Sequence, residues 1–506
     1  AAVGFSTGLR HALFEHIQKL SFSEMDTVGT STLITRMTSD INQTQNGVNL
    51  VLRLFLRSPF IVFGAMIMAF TIDVKAALVF VVTIPLLSVV VFGIMLVSIP
   101  LYKKVQSALD KVLGITRENL TGSRVIRAFN KEDDEITDFN NSNDALTKIQ
   151  LYVGKISALM NPLTYVIING AVVVLVWTGA IRVNSGYITQ GEVVALVNYM
   201  SQILVELIKL ANLIININKS IACGNRIQAI FELQPSITDH AVTPVAEKKA
   251  EHSGEVPEVV FSHVGLTYAG AGEESLTDID FTVKKGETVG IIGGTGSGKS
   301  SVVNLIPRFY DATKGSVQIG GKDVREYSLE ELRGKIGMVL QKAVLFKGTI
   351  RENMLWGNEN ATDEDIMQAL EVAQAKEFVD KKEGGLDFEI EQGGKNLSGG
   401  QRQRMTIARA VVKKPDILIL DDSASALDFA TDAKLRMAIR DMENKATVFI
   451  VSQRAASIMY ADRIIVLDDG QIVGMGTHEE LLKQCEVYQE IYYSQFKKTE
   501  DEKEGR

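Results

Sequence analysis

The chain has 506 residues, too many for one ordinary domain, and 46% of them are hydrophobic, with a positive mean hydropathy of +0.11. The formal net charge is −8 and basic residues form no block beyond short pairs, which argues against binding to a nucleic-acid backbone. Cys223 and Cys485 lie far apart and outside any Cys/His cluster, so the sequence indicates neither a disulfide framework nor a zinc site.

The apolar residues are concentrated in the first 220 positions, so a membrane domain is predicted over 1–233, ahead of a soluble part. The first twenty residues predict an amphipathic helix entered in mid-course, with no signal peptide. Four segments are apolar and long enough to cross a hydrocarbon core: 58–72, 76–101, 156–181 and 193–217. A soluble domain with a buried core is the alternative, but four such runs joined by tight polar turns are rare in soluble domains.

The lengths of the connections pair these four segments into two hairpins. Residues 73–75 join the first two segments and residues 182–191 join the last two, whereas 102–155 is predicted to be a long polar loop. That loop carries nine lysine and arginine residues. The positive-inside tendency therefore places the loop in the cytoplasm and the short turns on the outer side.

The last apolar segment contains a carboxylate, Glu206. Lys209 follows three positions later on a helix and could neutralise it. The pair could simply stabilise helix packing, or Glu206 could face an aqueous substrate pathway, and the sequence leaves both interpretations open. Glu206 is therefore a candidate residue of a substrate pathway.

A linker is predicted over 234–257 and a soluble domain over 258–496, followed by a solvated, disordered tail at 497–506. Within the soluble domain, a strand-like run at 287–292 leads into the sequence GGTGSGKS. This is a P-loop pattern, because its glycines let backbone N–H groups turn around phosphates while the lysine neutralises the β/γ-phosphates and the serine reaches Mg²⁺. The predicted ATP-binding residues are Gly293, Gly294, Thr295, Gly296, Ser297, Gly298, Lys299, Ser300 and Ser301.

Two further motifs accompany the P-loop. The run ILILD at 417–421 predicts a fully buried parallel strand that ends in Asp421, a carboxylate that would orient Mg²⁺ together with Ser300. The run LSGGQ predicts a helix entry whose small residues let a serine hydroxyl and backbone N–H groups approach a γ-phosphate. Without the P-loop this run could be an ordinary glycine-rich helix start. Its members are Leu397, Ser398, Gly399, Gly400 and Gln401.

At these motifs the sequence resembles the ATP-binding cassette (ABC) transporter family, over essentially the whole chain. The resemblance implies an α-helical transmembrane domain of the exporter type, followed by a P-loop α/β nucleotide-binding domain. It also implies that Tyr268 stacks on adenine and that Gln341 contacts Mg²⁺. The family's cassettes work as head-to-tail pairs, in which the LSGGQ of one closes over the ATP of the other. The family's D-loop corresponds to Ser425, Ala426, Leu427 and Asp428.

Two residues depart from the family pattern at the reaction centre. Asp422 stands where the family has a glutamate that polarises the attacking water, and the missing methylene shortens the reach of the carboxylate. Gln453 stands where the family has a histidine, so a titratable proton and a positive charge are lost. Neutral drift is one explanation. Because LSGGQ is intact, we favour a heterodimer in which this P-loop site hydrolyses ATP poorly and the partner half-transporter carries the consensus Glu and His.

The sequence resembles in particular the BmrC-like half-transporters of heterodimeric bacterial multidrug exporters. Such halves have six spans, so the first two spans are expected to be missing from this chain, and 23–26 and 128–133 are predicted coupling helices. The resemblance implies ATP-driven export of amphipathic drugs or lipids across a bacterial cell membrane, with the cassette in the cytoplasm. A non-transporting regulatory subunit is the alternative.

Overall fold

A computed structural model of the chain describes residues 1–239, 256, 258–442 and 444–496. These residues form two compact units, the first made of 1–18 and 31–233, the second of 19–30 and the described residues from 234 onward. The predicted disordered tail lies outside the described residues, as does most of the predicted linker.

The first unit is entirely helical in its described elements. In chain order the helices up to Phe231 are α1 (Ala2–Lys19), α2 (Phe22–Val28), α3 (Thr30–Thr35), α4 (Ile41–Leu50), α5 (Arg57–Ile72), α6 (Val74–Thr121), α7 (Ser123–Ala128), α8 (Glu132–Ala158), α9 (Met160–Asn184) and α10 (Gln190–Phe231). Two π-helical segments, Arg36–Asp40 and Val51–Phe55, flank α4. The amphipathic helix predicted for the first twenty residues is confirmed as α1, and α2 belongs to the second unit.

The described residues contain four helical stretches that are long and apolar enough to cross a membrane, as predicted. They are Thr30–Ile72, Val74–Thr121, Glu132–Asn184 and Gln190–Leu210. The helices continue well past the apolar runs. With 48 residues, α6 is about 72 Å long, more than twice the roughly 30 Å of a hydrocarbon core.

The segment 102–155, predicted as a long polar connection between spans, is almost entirely helical. It comprises the polar end of α6, all of α7 and most of α8, with breaks at Gly122 and near Asn130, whose φ is +51°. Lysine, arginine and glutamate are good helix formers, and a helix exposed on most sides needs no apolar stripe. Polarity alone therefore did not distinguish a loop from a solvated helix.

The two short turns of the membrane hairpins are joined by a buried ion pair. Asp73 caps the start of α6 by accepting a 2.8 Å hydrogen bond from the backbone N–H of Ala76. Its other carboxylate oxygen accepts a 2.8 Å hydrogen bond from Nε of Arg182, close to the end of α9. A buried carboxylate needs such partners, so this pair fixes the α5–α6 turn beside the end of the α9 helix.

Helices α4 and α10 cross closely at Gly47. A Cβ atom placed on Gly47 would lie 2.2 Å from Cβ of Ser220. The hydroxyl of Ser220 donates a 2.7 Å hydrogen bond to the backbone carbonyl of Gln43, one turn before the glycine. A small residue facing a small polar residue lets two helix backbones approach, as is common in membrane helix pairs.

We expect Gly47→Ala to destabilise the first unit by about 1 to 3 kcal/mol, because the new methyl group overlaps Ser220 and the helices must separate. The measurement is the apparent melting temperature of the detergent-purified protein. Gly224→Ala on α10 is the matched control, since its added Cβ meets nothing within 4 Å in the part of the chain that the structure describes. Adding Ser220→Gly to Gly47→Ala should recover most of the loss, and an unchanged melting temperature in Gly47→Ala would contradict the close crossing.

The second unit has two larger sheets with helices around them. Its strands are β1 (Val259–Leu266), β2 (Leu276–Val283), β3 (Thr288–Gly293), β4 (Lys314–Ile319), β5 (Lys322–Asp323), β6 (Ile336–Val339), β7 (Gly348–Thr349), β8 (Glu389–Ile390), β9 (Ile417–Asp421), β10 (Thr447–Val451), β11 (Arg463–Asp468) and β12 (Gln471–Gly476). Its further helices are α11 (Lys299–Leu305), α12 (Leu329–Gly334), α13 (Ile350–Leu355), α14 (Asp363–Val372), α15 (Lys376–Asp380), α16 (Gly399–Val411), α17 (Phe429–Arg440), α18 (Ala455–Ile458), α19 (His478–Gln484) and α20 (Glu486–Gln495). Short 3₁₀ turns occur at Val324–Glu326, Gly385–Asp387 and Gln392–Gly394.

The six-stranded sheet has the order β12-β11-β3-β10-β9-β6, while a four-stranded antiparallel sheet has the order β2-β1-β4-β5. Strands β11, β3, β10, β9 and β6 are parallel, and β9 and β10 are buried along their whole length. Val451 of β10 pairs with both Ile291 of β3 and Asp421 of β9. The carboxyl ends of these three strands therefore meet at one edge, where open α/β sheets bind ligands.

Candidate nucleotide-binding site

The P-loop connects β3 to α11 through a turn that requires glycine. Gly296 and Gly298 have φ angles of +85° and +90°, and Gly298 is the N-cap residue of α11. At Gly293, an added Cβ would lie 2.1 Å from the backbone oxygen of Leu467 on β11. Left-handed backbone and close approach to a neighbouring strand are both conformations that glycine tolerates. The loop thus aims backbone N–H groups and the start of α11 at a single point.

Lys299 is the first residue of α11 and is only 9% exposed. Its Nζ donates hydrogen bonds to the backbone oxygen of Gly293 at 3.0 Å and to Oγ of Ser297 at 3.3 Å. Burial lowers the pKa of Lys299, and the nearby carboxylates of Asp422 and Asp421 oppose that shift. The ammonium group is therefore fixed in the loop at the place where the P-loop pattern predicts phosphate.

Ser300 and Asp421 form the pair that the sequence predicted for Mg²⁺. Ser300 Oγ donates a 3.0 Å hydrogen bond to Oδ1 of Asp421, which is 5% exposed at the end of β9. Burial raises the pKa of Asp421, and the adjacent Asp422 adds to this, while Ser300 and Lys299 lower it. A hydroxyl and a carboxylate side by side are hard oxygen ligands, and Mg²⁺ commonly takes only one or two of these together with phosphate oxygens and water. The residues present therefore fit the ion.

The two departures from the family pattern both lie at this edge of the sheet. Asp422 has a left-handed backbone with φ +44°, and its Oδ2 accepts a 3.3 Å hydrogen bond from Nε2 of Gln341. Gln453 follows β10 by two residues and is exposed, facing the same cavity as Asp422. The fold thus brings together Gln341, Asp422 and Gln453, although more than 100 residues separate the first from the last in sequence.

A cavity of about 840 Å³ collects most of the predicted ATP-binding residues. Those that line it are Tyr268, Thr295, Gly296, Gly298, Lys299, Ser300, Ser301, Gln341, Asp421, Asp422 and Gln453. Tyr268 is half-buried, donates a 2.8 Å hydrogen bond to Oγ of Ser301 and meets the edge of Tyr310 at a 5.0 Å centroid distance. Gly293, Gly294 and Ser297 are not among the lining residues, but all three accept hydrogen bonds from Lys299.

The LSGGQ residues start α16, as predicted. Ser398 is the N-cap: its Oγ accepts a 3.3 Å hydrogen bond from the backbone N–H of Gln401, whose Oε1 accepts one from the backbone N–H of Ser398. This capping box leaves the hydroxyl proton of Ser398 available to donate. A Cβ on Gly399 would meet no described residue within 4 Å, whereas one on Gly400 would lie 3.1 Å from the backbone oxygen of Ala426 in the D-loop.

Among the described residues, neither the LSGGQ residues nor the D-loop residues 425–428 line the cavity that contains the P-loop. The D-loop is joined to that site indirectly, because Oγ of Ser425 donates a 2.8 Å hydrogen bond to the backbone oxygen of Asp422. Asp428 caps α17 through the backbone N–H of Thr431. The chain therefore carries a cavity at the P-loop and a separate exposed motif of the kind that binds phosphate.

Sequence reasoning missed several residues around the site. Glu273, Glu274 and Ser275 line one side of the cavity together with Asp469 and Gly470, which form the turn between β11 and β12. A DDG turn between two apolar runs is a recognisable hairpin signal, but nothing local indicates that the turn faces a ligand site. These positions become visible only once the strand order is known.

The segment predicted to contain a coupling helix, 23–26, lies in α2 and belongs to the second unit. Phe22 packs on Phe309 at a centroid distance of 4.5 Å, and the hydroxyl of Tyr310 donates a 2.5 Å hydrogen bond to Oδ2 of Asp26. Burial and the adjacent Asp26 carboxylate raise the pKa of Tyr310 above its usual range, so the phenol stays protonated. Because Tyr310 also touches Tyr268, α2 is linked by two aromatic rings to the cavity that contains the P-loop.

In the first unit, Glu206 on α10 has both carboxylate oxygens bonded. Ser58 Oγ donates to Oε2 at 2.8 Å and Lys209 Nζ donates to Oε1 at 3.0 Å. The side chain of Glu206 is 9% exposed and that of Lys209 is 50% exposed. The structure thus supplies the partners that the packing interpretation requires, and a role in a substrate pathway stays a prediction.

A helical unit with four apolar stretches, fused to a P-loop α/β unit with an LSGGQ helix, defines an ATP-driven transporter integral to a membrane, with its cassette in the cytoplasm. The "ABC transporter transmembrane region" family matches residues 1–207, and the "ABC transporter" family matches residues 276–425. The chain therefore belongs to the ABC transporter family, and it has the arrangement of an exporter half-transporter.

Curated relatives extend along almost the whole chain. An uncharacterized ABC transporter ATP-binding protein of Mycobacterium tuberculosis is 38% identical over 497 residues, which is 97% of this chain and 84% of the relative. An ATP-dependent lipid A-core flippase of Desulfotalea psychrophila is 34% identical over 486 residues, 96% of this chain and 84% of that protein. The solved structure of a bacterial Atm1-family ABC exporter with ATP bound shares the fold, with a TM-score of 0.78 and 23% identity over 98% of this chain and 87% of that one.

Proposed function

We propose that this chain is one half of a heterodimeric exporter, and that its own P-loop site binds ATP but hydrolyses it slowly. Its LSGGQ motif would complete the competent site of a partner half that carries a glutamate and a histidine at the positions of Asp422 and Gln453. The observation that carries this proposal is the joint placement of Asp422 and Gln453 on one cavity beside Lys299, Ser300 and Asp421.

Asp422 is poorly suited to activate water. Its carboxylate is one methylene shorter than that of glutamate, and it accepts a hydrogen bond from Gln341. A displacement of about 1 Å can cost about 100-fold in rate when a group must align a nucleophile. Slow hydrolysis is therefore the expected behaviour of a site built on this residue.

Gln453 supplies an amide where the family has imidazole. The amide can donate a hydrogen bond to a γ-phosphate but cannot carry the positive charge of a protonated imidazole. The loss of a charge-assisted contact weakens stabilisation of negative charge in phosphoryl transfer more than it weakens ATP binding itself. Both substitutions thus reduce turnover while leaving the phosphate-binding parts intact.

The remaining residues of the cavity are those that bind ATP with its metal. Lys299 and the P-loop N–H groups would hold the β/γ-phosphates, while Tyr268 would stack on adenine. Ser300, Asp421 and Gln341 would hold Mg²⁺, which neutralises charge on the phosphates when it is bound. The nucleotide would then stay between the two cassettes until the partner's site turns over.

For the transported substrate we propose amphipathic drugs or lipids that enter from the cytoplasm or the inner leaflet. The spans expose apolar side chains, for example Phe60 at 78% and Trp177 at 72%, which suit contact with lipid or with apolar molecules. A relative with 34% identity is named as a lipid A-core flippase, so a lipid substrate has a precedent among similar proteins. The membrane itself is then one source of substrate.

We expect the double substitution Asp422→Glu with Gln453→His to raise ATP hydrolysis at this chain's site by about 10-fold or more, because both missing functions are restored. Asp422→Glu alone should change it by less than about 3-fold, since the histidine is still absent. The measurement is conversion of 8-azido-ATP to 8-azido-ADP on this chain, read by photolabelling of the assembled transporter. If Asp422→Glu alone reaches the rate of the partner's site, the two-defect explanation is wrong.

A further inference from the structure

The C-terminal helix α20 ends beside the loop that carries Gln453. Its last residue, Gln495, donates a 2.7 Å hydrogen bond from Nε2 to the backbone oxygen of Gln453. Oε1 of the same side chain accepts a 2.9 Å hydrogen bond from the backbone N–H of Ala455. One side-chain amide thus bridges the backbone on both sides of Arg454, and we call residues 452–454 the switch loop.

The amide side chain of Gln495 makes both contacts because it carries a donor and an acceptor. The carboxamide has a donor and an acceptor, and the two backbone groups it meets are an acceptor and a donor in the complementary order. Glutamate in the same place would keep the acceptor for Ala455 but would turn an oxygen toward the carbonyl of Gln453. The contact is therefore sensitive to a change of a single atom.

Helix α20 is well anchored behind this contact. Tyr488 is 0% exposed and belongs to the same apolar cluster as Ala455 and Ile458 of α18, which follows the switch loop directly. The hydroxyl of Tyr488 is 2.7 Å from Nδ1 of His478 on α19. Gln495 therefore extends from a packed helix and can act as a fixed support.

On its other side the switch loop is held by the D-loop. Arg454 Nη2 donates a 3.2 Å hydrogen bond to the backbone oxygen of Ser425, and its Nη1 donates a 3.3 Å hydrogen bond to the backbone oxygen of Leu427. With its backbone held by Gln495 and the neighbouring residue held by the D-loop, Gln453 keeps an exposed side chain that faces the ATP cavity.

We propose that Gln495 is a positioning residue for the nucleotide site: by bridging the backbone of Gln453 and Ala455, it sets where the Gln453 side chain stands relative to the γ-phosphate. The C-terminal helix then becomes part of the ATP site without touching ATP. This inference rests on the proposed function, which places Gln453 at the γ-phosphate.

The test compares variants in the assembled transporter. Gln495→Ala removes both hydrogen bonds and Gln495→Glu removes only the donor. Ser494→Ala is the matched control because, among the residues that the structure describes, its hydroxyl bonds to Ile491 in its own helix. In the assay, 8-azido-ATP is bound first, chased for increasing times and then photolabelled onto this chain. The label that remains gives the rate at which the nucleotide dissociates. Hydrogen exchange at the backbone N–H of Ala455 reports directly whether the contact is lost.

We expect Gln495→Ala to speed dissociation about fivefold, as for the loss of a typical hydrogen-bond contribution, and Ser494→Ala to leave the rate unchanged. The dissociation rate of Gln495→Glu should equal or exceed that of Gln495→Ala, since the glutamate adds repulsion at the carbonyl of Gln453. Faster exchange at Ala455 should accompany both Gln495 variants.

The decisive comparison uses Gln453→Ala, which removes the side chain but keeps the backbone carbonyl. If Gln495 acts through that side chain, Gln495→Ala added to Gln453→Ala changes dissociation no further. Additive effects would overturn the positioning role and leave a general structural one. Dissociation that responds to Gln453→Ala but not to Gln495→Ala overturns this inference alone, whereas no response to Gln453→Ala overturns the proposed role of Gln453 as well.

Discussion

Replacing Gly399 with aspartate is expected to lower the steady-state ATPase rate of the assembled transporter by about 100-fold or more, because like charges brought together at a phosphate cost several kcal/mol. Gly399 is exposed at the start of α16, and an added Cβ would meet none of the described residues of this chain within 4 Å. An acidic residue in the first turn of a helix is also favourable to that helix. The variant should therefore fold normally and fail only when a partner's ATP approaches.

The same experiment separates the two ATP sites. Gly399→Asp should reduce hydrolysis at the partner's site, whereas Asp422→Asn in this chain should change total turnover by less than about twofold, because the proposed slow site contributes little. Gly334→Asp is the control, since its side chain also enters open space. A normal ATPase rate in Gly399→Asp would show that this chain's LSGGQ completes no competent site, and a large loss in Asp422→Asn would contradict the heterodimer with one slow site.

The second large effect is expected for Lys299→Ala. Loss of the buried ammonium should weaken ATP binding to this chain's site by about 10- to 100-fold, the range expected for charge-assisted hydrogen bonds. If the proposed dimer closes only with nucleotide at both sites, ATP-dependent accumulation of substrate in inverted membrane vesicles should fall with it. Lys285→Ala, which removes an exposed lysine that does not line the cavity, is the control.

Two readouts distinguish the possible failures of that prediction. Unchanged photolabelling of Lys299→Ala by 8-azido-ATP would contradict the assignment of an ATP site to this P-loop. A second outcome is that labelling is lost but accumulation is unaffected, both in Lys299→Ala and after inactivation of the partner's P-loop. That result would contradict active export and favour a regulatory ATP-binding subunit.

The parts of the site that could be predicted from sequence are those with a local pattern. The P-loop follows β3 and opens α11, and the apolar run ending in Asp421 is β9, because glycine spacing and a continuous apolar strand specify these elements within a few residues. Parallel pairing of β3, β10 and β9 then brings Lys299 and Asp421 to the same edge. Local pattern and topology agree here.

The parts that could not be predicted depend on contacts between distant residues. Gln495 lies 42 positions from Gln453, and nothing around it marks it as different from any other glutamine on a polar helix. The role of Arg454 likewise depends on its hydrogen bonds to D-loop carbonyls almost 30 positions away. The helical state of 102–155 was missed for another reason, since charged residues suit a solvated helix and a loop equally well.

The uninterrupted length of α6 has a mechanical consequence. A helix of about 72 Å behaves as a stiff rod when its axis tilts. A tilt of about 5° would therefore displace one end by about 6 Å relative to the other. Pro85 and Pro100 are the points where its bending stiffness is lowest, because each removes a backbone hydrogen bond. Small angular movements in the polar half of α6 would therefore become displacements of several ångströms among the membrane helices, with bending concentrated at two known positions.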